Sequence, residues 1–468
     1  MSVPAVLLAC FFRVLLISCP FLRPRSVLTL IFPHYIMFLY SINIASVYKC
    51  RKTAVQQGGV FMAAIFLSPL YILVNIYIFR WIFLWLCAVC PMLQSTGFLI
   101  FLAFLYILLS TSPLTGFLVK KPSWLHSILK ITGNFFLGFF LYFLLTVFTA
   151  DIIRLIIKYC FRIPWSGSRL FFVLAGSICA LIILFFCIYG ISHVSHIKTK
   201  YYNIQIKKFV PDMKSLKIIL VADFHFGFST DFRHTKKIIQ EINKEHADLV
   251  CIAGDTFDND FDSIVNPERL QTLLKTIESR YGVYACWGNH DLNEPILAGF
   301  TFHSSSEKLE DPRMEKFFEN SCIRLLNDQS ELIDQKFYLI GREDPQRAEK
   351  LGIKRKTPIQ LTEKLDRGKP VIILDHQPKE LKELSAAGAD LDLCGHTHNG
   401  QLFPGNIFTR FLWENSWGYL RKGSMHNIVT SGAGVWGPSM RIGTSSEICI
   451  VQVSFPVTRT LHPEKHLV

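Results

Sequence analysis

Acidic residues are almost absent from the first 195 residues of this chain, and charged residues are scarce overall. Asp, Glu, Lys and Arg make up 18% of the 468 residues, below the quarter or so that is usual in soluble domains. Residues 1–195 contain a single acid, Asp151, and 14 of the 49 Lys and Arg, whereas residues 196–468 carry no net charge. The formal net charge of +13 therefore does not indicate a nucleic-acid partner, and the apolar excess excludes a disordered chain.

The first part of the chain contains several apolar stretches long enough to span a membrane, which takes about 20 residues. Four stretches have this length, and a fifth has it despite an internal proline and histidine: 60–79, 92–118, 131–150, 170–191 and 27–48. The sequence therefore predicts a transmembrane region over residues 1–195 and a globular domain over residues 196–468. Whether residues 1–60 are translated and span the membrane stays open, because Met62 is an alternative start.

Basic residues cluster in the loops between these stretches. If four spans follow residue 60, the clusters at 49–52, 120–130 and 198–208 fall on one side of the membrane. They outweigh Arg80 and the basic loop 151–169 on the other side. Because Lys and Arg concentrate in cytoplasmic loops, we expect an integral protein of the inner or plasma membrane with a cytoplasmic globular domain.

Short apolar runs alternate with polar helical patterns from Tyr201 onwards. The helical patterns cover 233–246, 267–280 and 377–387. The apolar runs predict nine strands: 201–207, 216–222, 248–253, 282–287, 336–341, 370–375, 391–394, 427–431 and 447–453. Strands separated by helices are typical of a layered α/β fold.

Polar residues of a few types follow directly after five of these strands. In chain order they are Asp223-Phe-His225, Gly254-Asp255, Gly288-Asn289-His290-Asp291, Asp375-His376 and Gly395-His396-Thr397-His398. Sites in open α/β folds collect at the carboxyl ends of strands, so we expect these side chains to converge. Residues i and i+2 of an extended chain point to the same side, so each Asp-x-His or His-x-His pair aims two donors at one place.

The donors are carboxylates, a carboxamide and imidazoles, with no thiolate among them. This set suits Mn²⁺, Fe²⁺ or Zn²⁺ rather than a structural cysteine-type zinc site. Seven donors exceed the need of one ion, whereas two divalent ions about 3.5–4 Å apart that share a carboxylate would use them all. The pattern therefore predicts a dinuclear centre that activates water against phosphorus.

Four further features are interpreted separately from this donor set. Arg441 fits a clamp on a second phosphate or a solvated or structural salt bridge, and Asp375 fits an orienting contact with His376 or a simple turn. Asp258 is interpreted as a surface acid. An aromatic patch before the last strands fits a lipid contact, a membrane-facing loop or core packing: Phe411, Trp413 and Trp417.

The five motifs together resemble the calcineurin-like metallophosphoesterase superfamily, whose pattern is complete in residues 223–398. Two finer stretches, 395–404 and 431–443, resemble a membrane-tethered branch. That branch contains transmembrane proteins with a metallophosphoesterase domain and enzymes that cleave the pyrophosphate of UDP-2,3-diacylglucosamine in lipid A biosynthesis. The resemblance implies an α/β domain built as a four-layer α-β-β-α sandwich behind the helical transmembrane bundle.

The resemblance also implies a role for each matching residue. One ion would be held by Asp223, His225 and His398, and the other by Asn289, His376 and His396. Asp255 would bridge the two ions. His290 would meet the phosphoryl oxygens or protonate the leaving group, and Asp291 would orient His290.

The expected function is a membrane-anchored, metal-dependent hydrolase of phosphoric esters or anhydrides, in which a metal-bridging hydroxide attacks phosphorus. Its expected partners are the bilayer and a phosphorylated, lipid-linked substrate such as UDP-2,3-diacylglucosamine. Three alternatives stay open: a tethered phosphodiesterase or phosphatase for soluble substrates, a membrane regulator with an accessory phosphoesterase domain, and a non-catalytic metal-binding scaffold. The intact donor set disfavours the scaffold.

Overall fold

The computed structural model describes residues 58–297, 300–301 and 308–458. The fifth predicted span, 27–48, lies outside the described residues. Four long helices come first in the described part of the chain: α1 (Gly58–Val89), α2 (Thr96–Leu118), α3 (Ser123–Tyr159) and α4 (Arg169–Val194).

All four helices are long and apolar enough to cross a bilayer, which confirms the four spans predicted after residue 60 and makes this a membrane protein. With 37 residues, α3 is the longest of them. Its first half lies against the globular part, where Asn134 Nδ2 donates to Ser229 Oγ at 3.1 Å and Lys130 Nζ to the Ile296 carbonyl at 3.1 Å.

Two pairs of polar side chains inside the bundle are hydrogen-bonded to each other across helices. The Tyr77 hydroxyl donates to Asp151 Oδ2 at 2.7 Å, which satisfies the single acid of this region. The Tyr106 hydroxyl donates to Asn75 Oδ1 at 2.8 Å. Because unpaired polar groups are costly in hydrocarbon, these hydrogen bonds stabilise the packing of one helix on another.

The globular part contains two six-stranded sheets, with strands numbered along the chain. In spatial order the first sheet is β1 (Ile197–Gln205), β14 (Ser446–Ser454), β2 (Ser215–Val221), β3 (Leu249–Ala253), β4 (Val283–Cys286) and β7 (Ile323–Leu325). The second sheet is β12 (Gly418–Lys422), β13 (Met425–Val429), β11 (Leu391–Cys394), β10 (Val371–Leu374), β9 (Phe337–Gly341) and β8 (Gln329–Ile333). A short hairpin pairs β5 (Ile296–Leu297) with β6 (Phe300–Thr301).

The sheets face each other across one hydrophobic core, and helices cover both outer faces. Apolar side chains from the two sheets, such as Leu220 and Leu393, meet in this core. The first sheet is covered by α5 (Phe232–Lys244), α6 (Pro267–Leu274) and α7 (Pro312–Asn320). The helix α8 (Pro345–Leu351) comes next in the chain. The second sheet is covered by the two helices that follow it, α9 (Pro358–Thr362) and α10 (Leu381–Ala386). This arrangement is the predicted α-β-β-α sandwich.

Five strands were not predicted, namely β5, β6, β7, β8 and β12. All five occupy a sheet edge or the hairpin, and they have either at most three residues or partly exposed side chains, so their apolar alternation is weak. One last helix, α11 (Gly405–Leu412), lies on the surface with none of its side chains buried.

Shortening a valine between the sheets should destabilise the domain. Val451 of β14 is fully buried, so Val451→Ala removes two buried carbons and leaves a cavity, at a cost of about 2 kcal/mol. Val265→Ala at a side chain that is 89% exposed should change little. Thermal unfolding of the full-length protein in detergent measures both, and equal Tm values for the two variants would contradict the assigned core.

Candidate metal centre

The predicted site residues follow the carboxyl ends of five strands, which the two sheets bring to one edge of the sandwich. Asp223 and Asp255 come after β2 and β3, and His376 comes after β10. Five of these polar residues have left-handed backbone, with φ between 47° and 73°: Asp223, His225, Asp255, His396 and His398. Such conformations cost about 1–3 kcal/mol each for residues other than glycine and cluster at functional sites.

One group of donors converges around His376. Its Nδ1 lies 2.8 Å from the Ala253 carbonyl and therefore donates to it, which leaves a lone pair on Nε2 of the neutral ring. That Nε2 lies 3.0 Å from Asn289 Oδ1, 3.1 Å from His396 Nδ1 and 3.1 Å from Asp255 Oδ2. Two nitrogens and two oxygens thus meet at one point, which is the donor set that a borderline divalent ion prefers.

A second group forms beside the first. His225 Nε2 lies 3.0 Å from His398 Nε2, and both imidazoles are grouped with a carboxylate oxygen of Asp223. The Asp255 Oδ2 atom lies 3.7 Å from His225 Nε2 in this second group and 3.1 Å from His376 Nε2 in the first. One carboxylate oxygen therefore reaches both groups, and the seven residues fit a pair of divalent ions.

The side chains of this site are buried, so each charged group acts strongly on the protonation of its neighbours. Burial raises the pKa of Asp223 to about 6. Burial would also raise the pKa of Asp255, but the neighbouring His376 and His290 outweigh it and hold that pKa well below its usual range. Asp255 is thus an anionic carboxylate among imidazoles, a position in which a bound cation would be stabilised.

His290 stands at the mouth of the two groups. Its backbone N–H donates to Asp255 Oδ1 at 2.8 Å, and its ring lies with its centroid 5.1 Å from that of His225. Burial lowers the pKa of His290 to about 4. The side chain that meets its Nδ1 is Asn259, through Oδ1.

Residues 216–400 match the family model for the calcineurin-like phosphoesterase. The globular part carries a calcineurin-like phosphoesterase domain. The resemblance drawn from the motifs is therefore confirmed.

Curated relatives contain similar domains. An uncharacterized metallophosphoesterase of Helicobacter pylori is 28% identical over 243 residues, which is 51% of this chain and 60% of that relative. A transmembrane protein with metallophosphoesterase domain from Danio rerio is 27% identical over 263 residues, covering 53% of this chain and 55% of the relative. The UDP-2,3-diacylglucosamine pyrophosphatase LpxG of Chlamydia trachomatis is 24% identical over 229 residues, which is 42% of this chain and 67% of that relative. The chain spans about 60% of the length of the Helicobacter and Campylobacter relatives it matches.

Two residues near His290 in the phosphoesterase domain differ from expectation. Asp291 accepts backbone N–H groups of Phe257 at 2.8 Å and Gly288 at 2.7 Å, so it supports the turn, while Asn259 occupies the predicted orienting position. The interpretation of Asp258 as a surface acid is wrong, since its Oδ1 lies 3.4 Å from Nδ1 of the buried His225. The sequence feature that could have indicated Asp258 and Asn259 is the polar run after Gly254-Asp255. In that run an acidic and an amide side chain follow the candidate ligand Asp255 within one turn.

Of the interpretations of Arg441, its position in the structure favours a structural role. Its guanidinium is fully buried and donates to backbone carbonyls, among them Gly434 at 2.7 Å, Ser431 at 2.8 Å and Ser445 at 3.0 Å. Its Nη2 also lies 3.4 Å from Nδ1 of His398. All of its donor directions point into the protein, so Arg441 holds loops around the donor groups rather than a substrate.

Asp375 takes neither of its two predicted roles. It lies in a buried ion-pair network, where Arg342 Nη1 is 2.7 Å and Arg355 Nη2 is 2.8 Å from its Oδ2. Its Oδ1 accepts the backbone N–H of His376 at 2.9 Å, so the contact is to the main chain rather than to the imidazole.

Arg441→Lys should destabilise the phosphoesterase domain although it keeps the charge. A lysine ammonium cannot reach the separated carbonyls that the planar guanidinium joins, and each buried carbonyl left unpaired costs about 1–3 kcal/mol. The matched control is Arg421→Lys, because Arg421 is exposed. We expect Tm to fall by several degrees for the first variant only; unchanged unfolding of Arg441→Lys would contradict a structural role.

Proposed function

We propose that this protein is a membrane-anchored, metal-dependent phosphohydrolase that uses two divalent ions, Mn²⁺, Fe²⁺ or Zn²⁺. The observation that carries the proposal is the position of Asp255 Oδ2, 3.1 Å from His376 Nε2 and 3.7 Å from His225 Nε2. One ion would lie among Asp223, His225 and His398, and the other among Asn289, His376 and His396, with Asp255 between them. The transmembrane region would cover residues 1–195 and the catalytic domain 196–468, which agrees with the end of α4 at Val194 and the start of β1 at Ile197.

When bound, such a pair of ions lowers the pKa of water and offsets negative charge that develops on phosphorus. The side chains around the donor groups hold His290 in position, and His290 supplies a proton. His290 is held by its backbone contact with Asp255 and by Asn259, so its ring is fixed beside the donor groups. The ring is neutral at pH 7 until an anionic phosphate approaches and raises its proton affinity, after which it can protonate the leaving oxygen. Asp291 keeps the 288–291 turn in place through its two backbone contacts.

We further propose that the substrate is a lipid-linked phosphoester or pyrophosphate. The relative from Chlamydia trachomatis is named for the hydrolysis of a diacylated nucleotide sugar. The first half of the apolar helix α3 lies beside the site, because Asn134 contacts Ser229 and the Ser229 hydroxyl donates to the Gly437 carbonyl at 2.8 Å, next to Trp436. The Trp436 ring centroid is 5.9 Å from that of His290. The basic loops favour a domain on the cytoplasmic side of the inner or plasma membrane.

The test uses full-length protein in detergent with Mn²⁺ and two substrates, UDP-2,3-diacylglucosamine and soluble bis(p-nitrophenyl) phosphate. We expect preferential cleavage of the lipid pyrophosphate, and a fall in kcat of about 10²–10⁴-fold in His290→Ala because the leaving group loses its proton donor. His196→Ala, at an exposed histidine, is the matched control. Cleavage of the soluble diester alone would instead favour a tethered general phosphodiesterase.

Asp255→Asn should lower metal content and turnover together. The amide keeps the size of the side chain but removes the charge that both donor groups share, so bound metal per chain should fall well below that of the wild type. Metal analysis of the purified protein measures this, with the exposed Asp366→Asn as control. Full metal content and unchanged turnover in Asp255→Asn would contradict the dinuclear assignment.

A further inference from the structure

A stripe of large apolar side chains lies exposed on and beside helix α11. The stripe consists of Phe403, Ile407, Phe408, Phe411 and Leu412, and we call it the α11 stripe. Phe408, Phe411 and Leu412 are 62%, 83% and 76% exposed. The spacing of the four helical members places them on one face, opposite Asn406, Thr409 and the exposed Arg410. A contiguous apolar surface of this kind marks a site of interaction rather than ordinary exposure.

The stripe begins where the membrane helices meet the phosphoesterase domain. The Tyr142 hydroxyl of α3 donates to the Phe403 carbonyl at 3.0 Å. Phe403 also lines a cavity of about 440 Å³ whose other walls come from the spans, including Tyr142 and Phe186. The exposed face of α11 is therefore continuous with the surface that the transmembrane helices present to lipid.

The other end of the stripe leads to the metal centre. Trp413 follows α11 directly, and its ring lies edge-on to the imidazole of His396 with the centroids 5.0 Å apart. Lys379 places its Nζ 5.4 Å from the centroid of the Trp413 ring. An apolar path thus runs from the spans along α11 and ends at an aromatic ring, a lysine and a ligand candidate.

We propose that the α11 stripe is inserted into the lipid–water interface of the bilayer that holds α1–α4, and that it guides lipid-linked substrate to the metal centre. Amphipathic helices with basic residues on the polar face lie in this interface with the apolar face about 5–10 Å deep. α11 contains one basic residue, Arg410, and no acidic residue, so it suits a surface of anionic headgroups. The guiding role rests on the proposed hydrolysis of a lipid-linked substrate, whereas the insertion does not.

Photo-crosslinking in the full-length protein tests the insertion without any need for activity. Phe411→p-benzoylphenylalanine is reconstituted in nanodiscs of phosphatidylcholine and phosphatidylglycerol that contain an alkyne-tagged phospholipid. Ile359→p-benzoylphenylalanine is the control, because Ile359 is 65% exposed but lies on α9, over the second sheet. We expect a lipid adduct at position 411 and none at 359. A crosslinked dimer, an adduct with another protein, or no adduct at position 411 would overturn the proposal.

Kinetics test the guiding role. The double variant Phe408→Ser/Phe411→Ser should lower kcat/KM for vesicle-borne UDP-2,3-diacylglucosamine about tenfold or more relative to kcat/KM for soluble bis(p-nitrophenyl) phosphate. The control Ile359→Ser should leave this ratio unchanged. An unchanged ratio in the double variant would overturn the guiding role. Failure of the wild type to cleave either substrate would instead overturn the proposed function, and the crosslinking result would still decide where the stripe lies.

Discussion

The buried carboxylate of Asp255, shared between two groups of imidazoles, is the constraint on which the rest of the site depends. Its Oδ2 atom lies close to both His376, which follows β10 of the second sheet, and His225, which follows β2 of the first sheet. The ends of the two sheets must therefore lie side by side. The approach is possible because the residues next to these side chains, Gly254 and Gly288, are glycines. A Cβ on Gly254 would lie 2.6 Å from His376 Nδ1, and a Cβ on Gly288 would collide with Asp255 itself.

Arg441 extends this constraint to the membrane helices. Its side chain holds the carbonyls of the loop that runs past the donor groups, while its backbone N–H donates to the Gly190 carbonyl of α4 at 3.0 Å. A few residues further along α4, His193 Nε2 lies 3.0 Å from Ser445 Oγ. The last turns of a spanning helix and the walls of the site are therefore joined through one short segment, so the bundle is part of the structure that positions the site.

The motifs predicted the composition of the site better than its supporting contacts. Asp223, His225, Asp255 and His376 were found because parallel strands end at one edge, a property that local sequence carries. The interactions of Arg441 and Asp258 were not found, because a buried and an exposed charged residue look the same in the sequence. Only the surroundings of each side chain in space show that it is buried.

The sequence by itself determined four spans, a layered α/β domain and a donor set suited to divalent ions, since hydrophobic length, periodicity and residue chemistry are local properties. Tertiary structure alone decided that Asn259 rather than Asp291 meets the ring of His290. It also placed the first half of α3 beside the site and left the apolar face of α11 exposed next to the spans. These features depend on contacts between residues far apart in the chain, which no local pattern records.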